Sequence, residues 1–346
     1  MRMHQSHINS LRGIAILMVV LVHVSSLFTF TTRFETTLFY YGKMGVQLFF
    51  IASAYTLCLS AENRREESNP TLNFYIRRYF RIFPIYYFGI VLYYILHLSQ
   101  GSAGAYTLKN IFLNVLLIHG FVPAANESIV HGGWSIGAEM IFYMIFPFLF
   151  KFMKSGRPVL KGLFVIALGQ LLLVLISKRM FIPFEYRYTS IFNQISVFVI
   201  GIIFYLKKKH FLSFNGALIG FVLFTAASFS LMYFEVEYQH ILIPILSGIA
   251  FCCLFLIAEK SKIVNNRIFQ EIGEKSYSIY IIHFVFTLYI LPKMNGYFLL
   301  TIAYLSVVVL SYLMSVVLNK WVEKPFIKLG HKVINLLSNK EPKAVS

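Results

Sequence analysis

Two ionisable residues, Arg12 and His23, share the first apolar segment of the chain and are candidates for chemistry inside a membrane. The segment runs from Leu11 to Phe30 and is long enough to cross a hydrocarbon core of roughly 30 Å. A separation of eleven residues is nearly three helical turns, so both side chains leave one helix face, and the histidine lies about 16 Å deeper, near mid-membrane. An ionisable group at that depth is costly and usually functional. The alternative is a polar residue that only joins two helices.

A cluster of arginines opens the third apolar segment at Arg77, Arg78 and Arg81. Their spacings of three and four residues make the guanidiniums converge on one side of the helix entry. Converging guanidiniums form bidentate bonds to phosphate, so the cluster suits a multiply phosphorylated ligand. Arginines at a cytoplasmic helix end also bind anionic lipid headgroups, which is the plainer interpretation.

A polar stripe lies in the segment that begins at Trp134. Ser135, Glu139 and Tyr143 are four residues apart and therefore share one helix face. A carboxylate within the bilayer must be protonated, paired or open to a polar cavity. The stripe is like the wall of a sugar site, and Trp134 would stack on a sugar ring, although an ion pair and an interfacial tryptophan are ordinary alternatives.

The ninth apolar segment repeats this pattern with Ser276, Tyr280 and His283 on one helix face. Hydrogen bonding between helices explains this second intramembrane histidine equally well. The sequence contains no paired cysteines, His-x-x-x-His, Gly-rich phosphate loop or nucleophile elbow, so we expect no metal site.

The composition indicates one all-α polytopic membrane domain. Of 346 residues, 58% are hydrophobic and 13% charged, with a mean hydropathy of +0.70, which is far more apolar than a soluble domain requires. We expect a membrane-embedded domain over residues 1–330 and a short cytoplasmic tail over 331–346. About ten transmembrane helices are predicted, at residues 11–30, 42–60, 79–98, 135–153, 160–177, 189–206, 213–233, 241–258, 277–293 and 298–318.

The net charge of +17 follows the positive-inside rule and does not indicate nucleic-acid binding, because basic residues cluster in alternate loops. These clusters predict that both termini are cytoplasmic and that residues 99–134 begin and end on the outside. The short apolar stretch 108–123 therefore cannot be a single crossing. We expect it to be re-entrant or interfacial.

Together and in this order, the blocks resemble the acyltransferase type 3 family of integral-membrane acyltransferases, which includes bacterial O-antigen and exopolysaccharide O-acetylases. The similarity covers residues 8 to about 327. It rests on Arg12 with His23, Arg77-Arg78 with Arg81, Trp134-Ser135 with Glu139, Phe142-Tyr143 and Pro147, Ser276-Tyr277 with His283, and Glu323-Lys324-Pro325-Phe326.

The resemblance implies a ten-helix fold that moves an acyl group, usually acetyl, from cytoplasmic acyl-CoA to an envelope carbohydrate. We therefore expect a multi-pass protein of the cytoplasmic membrane whose partners are acyl-CoA, a surface polysaccharide or glycolipid acceptor, and membrane lipids. Many relatives carry an additional periplasmic SGNH-type domain. This chain resembles the form without it, so a transferase that completes the reaction would be a separate protein.

The expected site combines these residues. In the mechanism that the resemblance implies, His23 takes a proton from the acceptor hydroxyl or carries the acyl group, and Glu139 orients the imidazole or the acceptor. The predicted donor-binding residues are Arg12, Arg77, Arg78 and Arg81. The predicted acceptor-binding residues are Trp134, Ser135, Tyr143, Tyr280 and His283.

Two other function classes use the same residues. A transporter or flippase of a glycan or lipid-linked precursor would line its path with them, but it would leave its substrate chemically unchanged. An acylase would instead add an ester that mild base removes. A purely structural membrane subunit would tolerate apolar replacements of the intramembrane polar residues.

Overall fold

The computed structural model describes residues 6–101, 103–122, 125–180, 184–208 and 213–338 of the chain. Over these residues the fold is helical and has no strand beyond a single bridge between Phe28 and Met294. The helices are α1 (Ser6–Ser25), α2 (Arg33–Tyr40), α3 (Gly45–Asn63), α4 (Pro70–Ser99), α5 (Leu108–Val115), α6 (Gly133–Lys154), α7 (Pro158–Met180), α8 (Phe184–Thr189), α9 (Ile191–Lys207), α10 (Phe214–Tyr233), α11 (Gln239–Lys260), α12 (Arg267–Glu274), α13 (Ser276–Phe284), α14 (Tyr297–Leu318) and α15 (Lys324–Ser338).

Within the described ranges, nine helical stretches are long and apolar enough to cross a membrane, which confirms the all-α polytopic fold. The predicted span 277–293 corresponds to a shorter apolar helix, Ser276–Ile290, in which α13 continues into a π-helical turn. The last stretch continues through a second π-helical turn into α15, so residues 331–338 of the predicted tail are helical. Residues 339–346 of that tail lie outside the described residues.

Helix α1 begins and ends about five residues earlier than the predicted span 11–30. Its end is set locally, because the hydroxyls of Ser25 and Ser26 donate to the carbonyls of Val22 and His23 at 2.9 and 2.7 Å. His23 therefore lies in the last turn, about 26 Å along a helix of roughly 30 Å. The depth of this histidine in the membrane stays a prediction.

The segment 108–123 does not form one long helix. It consists of the eight-residue α5 and a 3₁₀ turn at His119–Phe121. His119 is buried there, and its Nε2 lies 2.9 Å from the carbonyl oxygen of Gly133 at the start of α6. Tyr86 of α4 donates to Asn114 at 2.7 Å and lies 3.3 Å from the same histidine nitrogen. The segment thereby fixes the first turn of α6, where the polar stripe begins.

Ion pairs and hydrogen bonds connect five helix termini at one end of the bundle. Glu62 at the end of α3 pairs with Lys154 of α6 at 2.9 Å, and Glu259 of α11 pairs with Lys208. His7 of α1 lies 3.4 Å from the same Glu259 carboxylate. These contacts agree with the predicted alternation of the basic clusters, and we call this side of the bundle the basic end.

Small residues allow close packing against α1. A Cβ at Gly42 would lie 2.6 Å from the carbonyl oxygen of Met18, so the 3₁₀ turn Tyr41–Met44 can approach α1 only because residue 42 lacks a side chain. At the start of α3, a Cβ at Gly45 would likewise lie too close to the carbonyl oxygen of Ala15. This packing fixes the first turns of α3 beside the face of α1 that carries His23.

Candidate active site

A cavity of about 80 Å³, here called the arginine chamber, lies between α1, α3, α4, α6 and α13. It collects residues that are far apart in the sequence. Its polar lining consists of Arg12, Ser53, Arg81, Ser135, Glu139, Tyr143, Ser276, Tyr277 and Tyr280. Most of the residues singled out from the sequence therefore face one cavity.

The carboxylate of Glu139 is held by two hydroxyl groups. Ser53 donates to its Oε1 at 2.5 Å, and Tyr143 donates to the same oxygen from one turn further along α6. The two hydroxyls are themselves 3.1 Å apart. Oε2 has no hydrogen-bond partner among the described residues, which leaves one carboxylate oxygen for a ligand in the chamber.

Three of the four predicted donor-binding arginines converge on this region. Arg12 and Arg81 line the chamber, and Arg12 donates to Thr56 of α3 at 3.5 Å. Arg78 is 8% exposed, and its guanidinium carbon lies 5.6 Å from the ring centre of Tyr143. Its Nε has no hydrogen-bond partner among the described residues. A buried guanidinium with an unused donor is well suited to an incoming anion.

Arg77 does not converge with the others, contrary to the expectation from its spacing. It forms an ion pair with Glu67 at 2.9 Å, because the loop before α4 folds back and places that carboxylate beside it. Arg77 instead lines a separate cavity of about 330 Å³ at the basic end. The other basic residues of this cavity, here called the basic cavity, are Arg64, Arg65, Lys151 and Lys154.

A larger cavity of about 350 Å³ adjoins the arginine chamber and shares Val46 and Tyr280 with it. We call it the histidine chamber, because His23 lines it. The ring of His23 lies 4.3 Å from the ring of Phe284, centre to centre, and its nitrogens make no hydrogen bond to a described residue. The imidazole is therefore open to a ligand. Trp134, predicted to stack on a sugar, lines the same chamber.

Of the predicted residues in the ninth segment, Tyr280 is part of the wall between the chambers and His283 lies behind it. The hydroxyl of Ser135 lies 2.7 Å from that of Tyr280, which donates to the Gly132 carbonyl at 3.0 Å. His283 is fully buried behind them, with its ring centre 5.3 Å from that of His23. Its Nε2 has no hydrogen-bond partner among the described residues, and it lines neither chamber.

Comparison with known proteins shows the family to which the chain belongs. The family model described as an acyltransferase domain matches residues 6–320. The chain belongs to this acyltransferase family. It is similar to the O-acetyltransferase OatA of Staphylococcus aureus, with 24% identity over 87% of this chain and 55% of that protein. It is also similar to the peptidoglycan O-acetyltransferase OatA of Listeria monocytogenes, with 27% identity over 82% of this chain and 49% of that protein.

The chain thus spans about half the length of the curated relatives it matches. No solved structure gives a significant match to it. The family assignment confirms the resemblance inferred from the ordered motifs, and it covers nearly all of the chain that the structure describes.

Sequence reasoning missed three residues of this candidate site. Ser53, the partner of Glu139, was detectable only as a hydroxyl within an apolar run. Lys43 and Tyr188 line the histidine chamber. The sequence did contain an indication of the lysine. Lys43 lies at the end of the second span opposite to the basic loops, and the positive-inside rule predicts few basic residues at that end.

Proposed function

We propose that this protein is a membrane O-acyltransferase that moves an acetyl group from acyl-CoA to a hydroxyl of a cell-envelope carbohydrate. The observation that carries the proposal is the adjoining pair of chambers. One contains arginines and a half-satisfied carboxylate, and the other contains an imidazole without a hydrogen-bond partner among the described residues. The names of the relatives support O-acetyl transfer and, for the Listeria protein, a peptidoglycan acceptor.

The sizes of the cavities suggest how acyl-CoA binds. The arginine chamber, at about 80 Å³, is the smaller of the cavities and suits the narrow thioester arm. The basic cavity, at about 330 Å³, is larger and carries Arg77 among its five basic residues. We assign the nucleotide phosphates to the basic cavity and to the rim formed by Arg78 and Arg81, with the thioester reaching past Arg12.

In the proposed reaction the acceptor occupies the histidine chamber with one hydroxyl beside His23. The neutral imidazole removes the hydroxyl proton as the oxygen attacks the thioester carbonyl. The new C–O bond forms, the C–S bond breaks, and the proton passes to the leaving thiolate of CoA. Glu139 orients the reacting groups through its free oxygen. Transfer through an acyl-imidazole would use the same ring.

The proposed orientation places the basic end in the cytoplasm, because basic residues concentrate on the cytoplasmic side of membrane proteins. Both ends of the described chain then lie on the cytoplasmic side. The membrane that the protein spans is the cytoplasmic membrane of a bacterium. The donor site would face the cytosolic pool of acyl-CoA, and the histidine chamber would face the opposite surface. A separate transferase that completes the reaction stays a prediction.

The test uses the full chain reconstituted in nanodiscs with [¹⁴C]acetyl-CoA and envelope saccharides. We expect labelled saccharide whose label is released by mild base, together with free CoA thiol. The His23→Ala variant should form neither product at the wild-type rate. Saccharide that crosses a vesicle membrane without acquiring an ester would contradict the proposal and favour a flippase.

A further inference from the structure

A third cavity extends the series beyond the histidine chamber and has no part in the steps above. This terminal chamber, of about 510 Å³, is lined by residues from α2, α8, α10 and α11. It shares Thr36, Tyr40, Lys43 and Tyr188 with the histidine chamber. A molecule that reaches His23 from this side must therefore pass Lys43.

Lys43 has no carboxylate partner at this junction. Its Nζ lies 3.8 Å from the ring centre of Tyr40 and 4.8 Å from that of Tyr188. Among the described residues no carboxylate lies within 4.0 Å of it, and Glu235 in the same chamber is already paired with Arg33 at 3.2 Å. Aromatic rings offset the desolvation of an ammonium group only in part.

The position of this lysine is fixed by the fold. It follows Gly42, whose lack of a side chain lets the 3₁₀ turn pack on α1. It also precedes the first turn of α3, whereas the basic end lies at the opposite terminus of that helix. A cation far from the basic clusters is not explained by the positive-inside rule, so a ligand is the better explanation.

We propose that Lys43 binds an anionic group of the acceptor while the acceptor hydroxyl lies beside His23. This inference rests on the proposed function. The anion is a carboxylate of an acidic sugar or a phosphate that joins a saccharide to its lipid carrier, since either accepts hydrogen bonds from an ammonium group. A neutral saccharide would leave the charge uncompensated.

The aromatic residues around the lysine suit the rest of such an acceptor. The rings of Trp134 and Tyr188 lie 5.7 Å apart, centre to centre, and both line the histidine chamber. Their flat apolar faces can pack against a sugar ring, while the ammonium holds the charged substituent. The acceptor class inferred from the structure is therefore an anionic saccharide.

The experiment compares matched acceptors with the full chain in nanodiscs. One pair is a saccharide with a free carboxylate and its methyl ester, and the other is a lipid-linked saccharide with and without its phosphate. We expect wild-type kcat/KM to favour the anionic member of one pair by roughly tenfold or more, as for a charge-assisted hydrogen bond. The preferred pair distinguishes carboxylate from phosphate.

Variants locate the source of that preference. Lys43→Met should abolish it by lowering only the rate with the anionic acceptor, and Lys43→Arg should retain most of it. Lys178→Gln removes an exposed lysine at the end of α7 and should leave the preference unchanged. If Lys43→Met does not fold, Lys43→Gln makes the same comparison.

Equal use of charged and neutral acceptors by the wild-type protein would overturn the assignment and leave the transferase activity intact. An equal loss with both acceptors in Lys43→Met would also overturn it. Failure to form any saccharide ester in any variant, despite bound acetyl-CoA, would instead refute the proposed function itself.

Discussion

The arginine chamber and the histidine chamber share a wall but differ in size and in the state of their polar groups. The first is about 80 Å³, and its carboxylate is held by hydroxyl groups from two helices. The second is about 350 Å³, has Trp134 and Tyr188 in its wall, and contains an imidazole and an amine without hydrogen-bonding or acidic partners among the described residues. A narrow, charged space suits a thioester arm, whereas a wide aromatic space suits a saccharide. In the proposed function, each chamber therefore binds one of the two substrates.

The most severe test of this division is His23→Ala. We expect the rate of acyl transfer to fall by roughly 10²–10⁴-fold, as for loss of a general base, while acetyl-CoA affinity stays unchanged. Transfer is measured with labelled acetyl-CoA, and donor binding by calorimetry. His331→Gln is the matched control, since that histidine is exposed on α15. Normal transfer by the alanine variant would remove His23 from the mechanism.

On the donor side, Arg78→Gln combined with Arg81→Gln should raise the KM for acetyl-CoA by roughly tenfold or more, because charge-assisted bonds to phosphate are lost. The KM for the saccharide should not change. Acetyl-pantetheine has no nucleotide, so its KM should rise less than that of acetyl-CoA. Arg179→Gln, at an exposed position near the end of α7, provides the control. Unaltered acetyl-CoA binding by the double variant would contradict the donor assignment.

An intermediate effect is expected for Glu139→Gln. The amide oxygen can still accept hydrogen bonds from Ser53 and Tyr143, but the negative charge is gone. Since a charged acceptor strengthens a hydrogen bond by about 1 kcal/mol, kcat should fall by about fivefold with little change in either KM. Steady-state kinetics in which the concentrations of both substrates are varied will show whether kcat or a KM changes. A change confined to the acetyl-CoA KM would assign Glu139 to donor binding instead.

The smallest effect concerns acid stability near the histidine chamber. Burial and the neighbouring His97 lower the pKa of His131 to about 4 from 6.5. The unfolded chain therefore binds a proton at this histidine more readily than the folded chain. The stability that neutral His131 contributes to the fold is present above pH 6.5 and is lost as the pH falls towards 4. Between pH 7 and pH 5, the Tm of the His131→Gln variant should fall less than the Tm of the wild-type protein. Equal losses in thermal unfolding scans would show that another group governs the acid sensitivity.

The sequence was sufficient to predict the helices and to predict which residues share one face of a single helix. Long apolar segments required membrane-spanning helices, and the four-residue spacing of Ser135, Glu139 and Tyr143 placed them on one face. All three now line one chamber. These predictions succeeded because they depend on helix geometry, which the spacing of residues determines.

Contacts between helices could not be predicted in this way. Ser53 meets Glu139 only because α3 and α6 pack together, and no spacing in the sequence indicates that pairing. The ion pair that separates Arg77 from its neighbours depends on how the preceding loop folds back. Likewise, serine hydroxyls, rather than the length of the apolar run, determine where α1 ends, so the sequence did not indicate that His23 lies in its last turn.

The wall of Val46 and Tyr280 between the two chambers has a kinetic consequence. Because each chamber has largely its own lining, one substrate does not have to leave before the other enters. Direct transfer would then proceed through a ternary complex, with intersecting lines in double-reciprocal plots. Parallel lines would instead indicate that the acyl group waits on the protein until the saccharide arrives.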